Sequence, residues 1–221
     1  MAGSRPRLCV ALTSGDIAAA ASVEALTDLY EVRIDLIGAG WRDVASSLKK
    51  PWVATNRRKE EGGTWQGSEE ERIKELLAAL DLGPSIVDIE LGAPSLADVV
   101  RSVKGRARCL VSYHNFEITP PLAELKDIIE KMRTAGADIC KAVTLAGSAG
   151  DNATMLNLVR AFPGVDVVAF AMGQAGMLSR VLSPLAGAYF TFASVATGAE
   201  SAPGQVTAAE MRAVYGALGN E

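Results

Sequence analysis

Ala137-Asp138-Ile139-Cys140-Lys141-Ala142-Val143-Thr144-Leu145-Ala146 is apolar almost throughout, follows the turn signal Ala135-Gly136 and stops near Gly147. A run of this length between such bounds reads as a short buried strand. Strand side chains alternate between faces, so Lys141 shares its face with Ile139 and Val143. A lysine there must find a carboxylate or give up its proton, and the second course makes it a nucleophile toward carbonyls. The plainer alternative is a buried stem whose ammonium reaches out at the strand end.

Similar runs lie on both sides of it. Residues 8–12, 30–36, 52–56, 85–91 and 108–113 precede it, and residues 166–171 and 188–192 follow. Helical patterns fill the intervals, at 16–29, 41–48, from Ser68 onward, 95–103, 121–134, 151–161, 176–182 and 207–218. Ser68 with Glu71 spells a capping box at the start of one of them. Strand and helix thus alternate eight times at roughly 25-residue spacing, which predicts an α/β fold, the parallel eight-stranded (β/α)8 or TIM barrel, as one domain over residues 1–221. An open doubly wound sheet is the alternative, but Leu12-Thr13-Ser14-Gly15 after the first run is not its glycine fingerprint.

Composition removes several function classes. Net charge is -4 with no lysine or arginine cluster, which argues against a nucleic-acid partner. No apolar run approaches the ~20 residues that a membrane span needs, and the basic N-terminus leads straight into a short strand rather than a signal peptide. Cys9, Cys109 and Cys140 each fall inside a predicted strand and form no Cys-x-x-Cys. They read as buried thiols in a reducing cytoplasm. The single histidine, His114, excludes most histidine-rich metal sites, and no metal or cofactor is expected.

In a barrel of this kind, chemistry sits at the C-terminal ends of the strands and in the loops after them. By alternation Glu31, Arg33 and Asp35 share one face of the second strand, opposite Val32, Ile34 and Leu36, so the charged trio points inward. Asp88 and Glu90 repeat this on the fourth. Inward charges are costly unless paired, and for Asp35 and Asp88 a structural salt-bridge lattice is the preferred reading. Arg57 follows the third strand, with Glu61-Gly62-Gly63 in the same loop. His114 follows the fifth, where an imidazole suits proton transfer in both directions. After the seventh comes Met172-Gly173-Gln174-Ala175-Gly176-Met177-Leu178-Ser179-Arg180, either a glycine turn or a phosphate cradle at a helix start. The loop 194–206 after the eighth is small and polar enough to act as a lid, or as a plain connection.

Taken together, these motifs resemble the type I 3-dehydroquinate dehydratase family of the shikimate pathway, in a short form. Glu-x-Arg-x-Asp, Arg with Glu-Gly-Gly, Ser-Tyr-His-Asn-Phe, the strand lysine, Met-Gly-x-x-Gly-x-x-Ser-Arg and Ser-Ala-Pro-Gly-Gln occur in order over residues 8–205. The resemblance implies dehydration of 3-dehydroquinate to 3-dehydroshikimate through a Schiff base on Lys141, with His114 as general acid and base. It implies that Glu31 orients His114 and binds substrate together with Arg33. Arg57, Arg180, Ser201 and Gln205 would hold the substrate's hydroxyls and carboxylate, and Met172 and Phe192 would form apolar walls.

A class I Schiff-base aldolase remains the nearest alternative, with the same barrel and lysine but carbon–carbon cleavage. An inactive barrel kept as a binding module is another, against which stand the retained lysine, histidine and arginines. The expected partner is a small-molecule substrate, with no nucleic acid and no membrane, and a homodimer is left open.

Overall fold

The computed structural model describes residues 5–220. Eight strands run parallel in one sheet, β1 (Leu8–Leu12), β2 (Leu29–Arg33), β3 (Trp52–Thr55), β4 (Ile86–Glu90), β5 (Arg108–Asn115), β6 (Ile139–Leu145), β7 (Val167–Met172) and β8 (Thr191–Ser194). Their order, β7-β6-β5-β4-β3-β2-β1-β8, is that of a barrel opened at one seam. Across the seam the Tyr189 N–H donates to Val167 O at 2.8 Å, so the barrel is nearly closed. Helices α1 (Ile17–Ser22), α2 (Ile34–Ile37), α3 (Trp41–Ser47), α4 (Glu69–Ala78), α5 (Leu96–Val103), α6 (Leu122–Thr134), α7 (Gly150–Arg160), α8 (Met177–Leu182) and α9 (Ala208–Ala217) occupy the intervals. The capping box at Ser68 and Glu71 is formed, and Thr207 with Glu210 makes a second one. No described helix is long and apolar enough to cross a membrane.

Period-two alternation sorts the strand residues into two cores. Val10, Val32, Val87, Val111, Ala142 and Ala169 face the helices. Leu29, Val53, Ile86, Leu110, Ile139, Val168 and Phe190 fill the barrel interior. Each such side chain contributes on the order of 1.5–3 kcal/mol by leaving water. Two residues further along β2, β3, β4, β5 and β6 the interior changes character, while β7 and β8 continue with Phe170 and Phe192. Glu31, Thr55, Asp88, Ser112 and Lys141 stand on that level, buried above the apolar plug. The charged residues are therefore held at the C-terminal half of the barrel by strands whose first residues are anchored in hydrocarbon.

Several element bounds differ from the sequence expectation. The second strand stops at Arg33 rather than running to residue 36, and Ile34–Ile37 turns helical. Asp35 is the reason: its carboxylate receives Arg33 at 2.7 Å and the N–H groups of Arg57 and Thr64, each at 3.2 Å. Asp35 ties two loops together instead of projecting from a strand. The fifth strand is longer than expected, because His114 and Asn115 still pair with Val143 and Thr144 of β6. The eighth shifts forward to Thr191–Ser194, since Tyr189 is drawn to the seam between the guanidiniums of Arg7 and Arg108, whose carbons lie 4.3 and 4.9 Å from its ring centre. The first helix ends at Ser22, and Leu29 belongs to β2.

Candidate active site

Lys141 finds carboxylates. Its Nζ lies 3.1 Å from Asp88 Oδ2 and 3.7 Å from Glu31 Oε1, with the Phe192 ring centre at 4.4 Å. Asp88 is shared with Arg57, at 2.6 and 3.0 Å, and accepts the Ser112 hydroxyl at 2.6 Å. Burial alone would raise the Asp88 carboxyl, but Arg57 and then Lys141 hold it well below the usual carboxylate range. Arg57 reaches Glu90 at 2.9 Å, and Arg72 of α4 meets the other Glu90 oxygen at 3.0 Å. Charges thus alternate from Arg72 through Glu90, Arg57 and Asp88 to Lys141, so each buried ion faces an opposite one.

His114 meets Glu61, not Glu31. Its Nδ1 lies 2.9 Å from Glu61 Oε2, which also accepts the His114 backbone N–H at 3.0 Å. The expectation that Glu31 orients the histidine is therefore corrected: Glu31 accepts the Thr55 hydroxyl at 3.0 Å and faces the lysine. Glu61 reaches His114 because of the two glycines after it. A Cβ on Gly63 would stand 1.9 Å from Arg57 O, and Gly62, at φ +81°, has the Phe116 ring against it. Desolvation, then Arg57 and Lys141, push the imidazole well below its ordinary value. Burial, with Glu90 and Asp88 adding to it against Arg57, pushes the Glu61 carboxyl up to about 7. With Nδ1 donating to Glu61, the neutral ring keeps a lone pair on Nε2.

Arg180 is held differently from the other two arginines. Arg33 forks onto Asp35, and Arg57 is taken by Asp88, Glu90 and Ser112. The Arg180 guanidinium is 1% exposed, yet its Nε and Nη2 have no hydrogen-bond partner. A buried, unneutralised guanidinium is a waiting anion site. Burial pushes it down to about 9, so it keeps its charge at neutral pH. The turn that carries it is stapled to β7: Ser179 Oγ accepts the Ala171 N–H at 2.9 Å, and Asn152 of α7 accepts the Ser179 N–H at 2.7 Å. The N–H groups of Gly173 and Gly176 are already given to Pro203 O and Gly173 O, which leaves little for a phosphate cradle.

Glu31, Arg33, Arg57, His114, Lys141, Met172, Arg180, Phe192, Ser201 and Gln205, all expected at the site, line one pocket of about 550 Å³ including its open mouth. Ser201 and Gln205 come from the loop after β8, which lies over the end of β7 through the Gly173 N–H to Pro203 O bond, at 3.1 Å. Gln205 Oε1 accepts the Ser201 N–H at 2.7 Å, and its Nε2 is buried without a partner.

Sequence reasoning missed Glu61, Asp88 and Phe170 as parts of this site. Glu61 stands in a motif with two glycines, which was signal enough for a turn but not for its target. Asp88 reads from the sequence as part of a salt-bridge lattice, and it does belong to one, but the lattice ends on the lysine. Among the described residues no group of three or more His, Cys, Asp and Glu is arranged to hold a metal ion.

The family profile described as Type I 3-dehydroquinase matches residues 8–221. A 3-dehydroquinate dehydratase of Dehalococcoides mccartyi strain BAV1 is 44% identical over 210 residues, covering 95% of each chain. Another, from Methanosarcina mazei, is 36% identical over 202 residues, covering 85% of this chain and 84% of that one. Among solved structures, 3-dehydroquinate dehydratase from Geobacillus kaustophilus superposes with a TM-score of 0.85 at 27% identity, over 98% of this chain and 92% of that one.

Proposed function

The chain belongs to the type I 3-dehydroquinase family, a family of carbon–oxygen hydro-lyases, and on that premise we propose that it dehydrates 3-dehydroquinate through a Schiff base on Lys141 with His114 moving the protons. The observation that carries this reading is the convergence of a buried lysine, a carboxylate-held histidine and an unneutralised arginine on one small pocket.

The substrate is a β-hydroxy ketone with a carboxylate. Its carboxylate fits Arg180, the one buried pocket arginine without an internal counter-ion among the described residues. The ketone carbon then faces Lys141. As Lys141 attacks, His114 Nε2 takes the proton its ammonium gives up and returns it to the carbinolamine hydroxyl, which leaves as water. Ammonium and ketone thus become a protonated imine and water, and the imine then draws electrons from the neighbouring C–H bond. His114 Nε2 takes that proton. The electron pair moves into the imine, the carbon–oxygen bond to the β-hydroxyl breaks, and His114 returns a proton so that the hydroxyl leaves as water. Hydrolysis of the new imine releases the unsaturated ketone and restores the amine.

Electrostatics favour this order. Burial, and then Arg57 and Lys141, keep His114 neutral before the reaction, so it begins as a base. When the imidazolium forms, Glu61 lies 2.9 Å away to stabilise it. Asp88 and Glu31 flank the nitrogen that becomes the cationic imine. The test is direct. The purified chain is expected to convert 3-dehydroquinate to the conjugated enone, followed by ultraviolet absorbance. Formation of two smaller carbonyl products instead would favour the aldolase.

A further inference from the structure

We propose that Phe170 is a positioning residue for Arg180: its ring face fixes the guanidinium while leaving the N–H donors free for the substrate carboxylate. The proposal rests on the reading that Arg180 binds that carboxylate.

The observation is an asymmetry between three arginines in one pocket. Arg33 and Arg57 are oriented by carboxylates, which fix the guanidinium but also occupy its fork and neutralise it. Arg180 has no carboxylate within ion-pair reach among the described residues, and its Nε and Nη2 donate to nothing. What it has is a ring. The Arg180 Cζ lies 4.3 Å from the ring centre of Phe170.

A ring face attracts a cation without using any of its hydrogen-bond donors. It therefore orients an arginine and keeps it ready for a ligand, which no carboxylate can do. The ring is itself well fixed. Phe170 is 3% exposed, sits on β7 in register with Val143 of β6, and packs 6.0 Å from Phe192 at 58°. Phe192 in turn carries the Lys141 Nζ 4.4 Å from its centre. The two cations that would meet the two ends of the substrate thus rest on adjoining rings. A guanidinium left to choose among rotamers would present its two N–H bonds to the carboxylate only part of the time, and binding would weaken by that fraction.

The alternative is that Phe170 is only an apolar wall. Pentafluorophenylalanine at position 170 alone separates the two, because it keeps the ring's outline and reverses the sign of charge on its face. The probes are 3-dehydroshikimate and its carboxamide, which lacks the negative charge. Fluorination is expected to weaken the carboxylate about three- to tenfold and leave the carboxamide unchanged. KM for 3-dehydroquinate should rise by a similar factor with kcat held within about threefold. In an Arg180→Ala background the fluorinated ring should have no further effect on the carboxylate. Phe170→Leu, tested in the same way, should follow the fluorinated form for the charged probe. Equal loss of both probes, or a fluorination effect that persists without Arg180, overturns the proposal and makes Phe170 a wall. If Arg180→Ala itself leaves carboxylate and carboxamide bound as before, the carboxylate reading of the site falls, and the proposal with it. If Arg180→Ala discriminates between them and fluorination does not, only the role given to Phe170 falls.

Discussion

Glu61 holds His114 twice through one oxygen: Oε2 accepts the backbone N–H at 3.0 Å and lies 2.9 Å from Nδ1. Backbone and ring are thereby fixed against the same point, so the ring cannot turn without breaking the hold. Glu61→Gln keeps an oxygen for both donors and removes the charge that favours the imidazolium. Turnover is expected to fall about 10²-fold, within the range general acid–base groups contribute. With Glu61 raised to about 7 and His114 lowered, the acid limb of kcat/KM near neutrality belongs to Glu61. It should vanish in the Gln variant. A limb that survives the substitution assigns it to His114 instead.

The same carboxyl sets a pH dependence of stability. A group raised from 4.5 to about 7 on folding contributes stability that is full below the lower value and lost as pH rises through the higher. Glu61→Gln removes that loss. Its Tm relative to wild type should therefore climb between about pH 5 and pH 8. His114, lowered on folding, acts in the opposite sense by losing stability as pH falls below its unfolded value, but it is present in both proteins. A Tm difference that stays flat across this range contradicts the assignment.

Arg180→Ala should raise KM for 3-dehydroquinate by about 10–100-fold, the loss expected for a charge-assisted fork. Arg180→Lys keeps the charge on a single point and should fall between. Turnover should drop as well, because the carboxylate also positions the C–H over His114. Inorganic phosphate as a strong competitor, with carboxylate binding indifferent to the mutation, would point back to the aldolase.

Gly63 is a steric requirement. A Cβ there would fall 1.9 Å from Arg57 O and 2.8 Å from Arg58 O, so Gly63→Ala must open the turn that delivers Glu61. A destabilisation of about 1–3 kcal/mol is expected from denaturant titration. Turnover should fall at least tenfold, as in Glu61→Gln. Wild-type turnover in a destabilised Gly63→Ala would separate the turn from the chemistry.

The barrel was legible because its signals are local. Period-two runs and the Ser68 capping box can be read over a few residues, and β1 falls on residues 8–12 as expected. Lys141, His114 and Arg180 were legible because each is a polar group out of keeping with its neighbours or placed at a strand end. What failed were contacts between distant parts of the chain. Glu31 faces inward on β2 and Glu61 lies in the loop after β3, and only the path of the 57–63 turn decides which one reaches His114. Asp35 has strand periodicity but is drawn out of the strand by Thr64 and Arg57. Phe170 looks like any core aromatic until Arg180 returns from α8 to lie over it.

The central claim is that Lys141 forms the covalent bond. Sodium borohydride added to the protein with 3-dehydroquinate should reduce the imine to a stable amine, and peptide mass mapping should place the added mass on Lys141 alone. Lys141→Ala should show no adduct and no turnover while remaining folded, since Asp88 keeps Arg57 at 2.6 Å and Ser112 as partners. An adduct on another lysine, or near-native turnover in Lys141→Ala, would contradict the account.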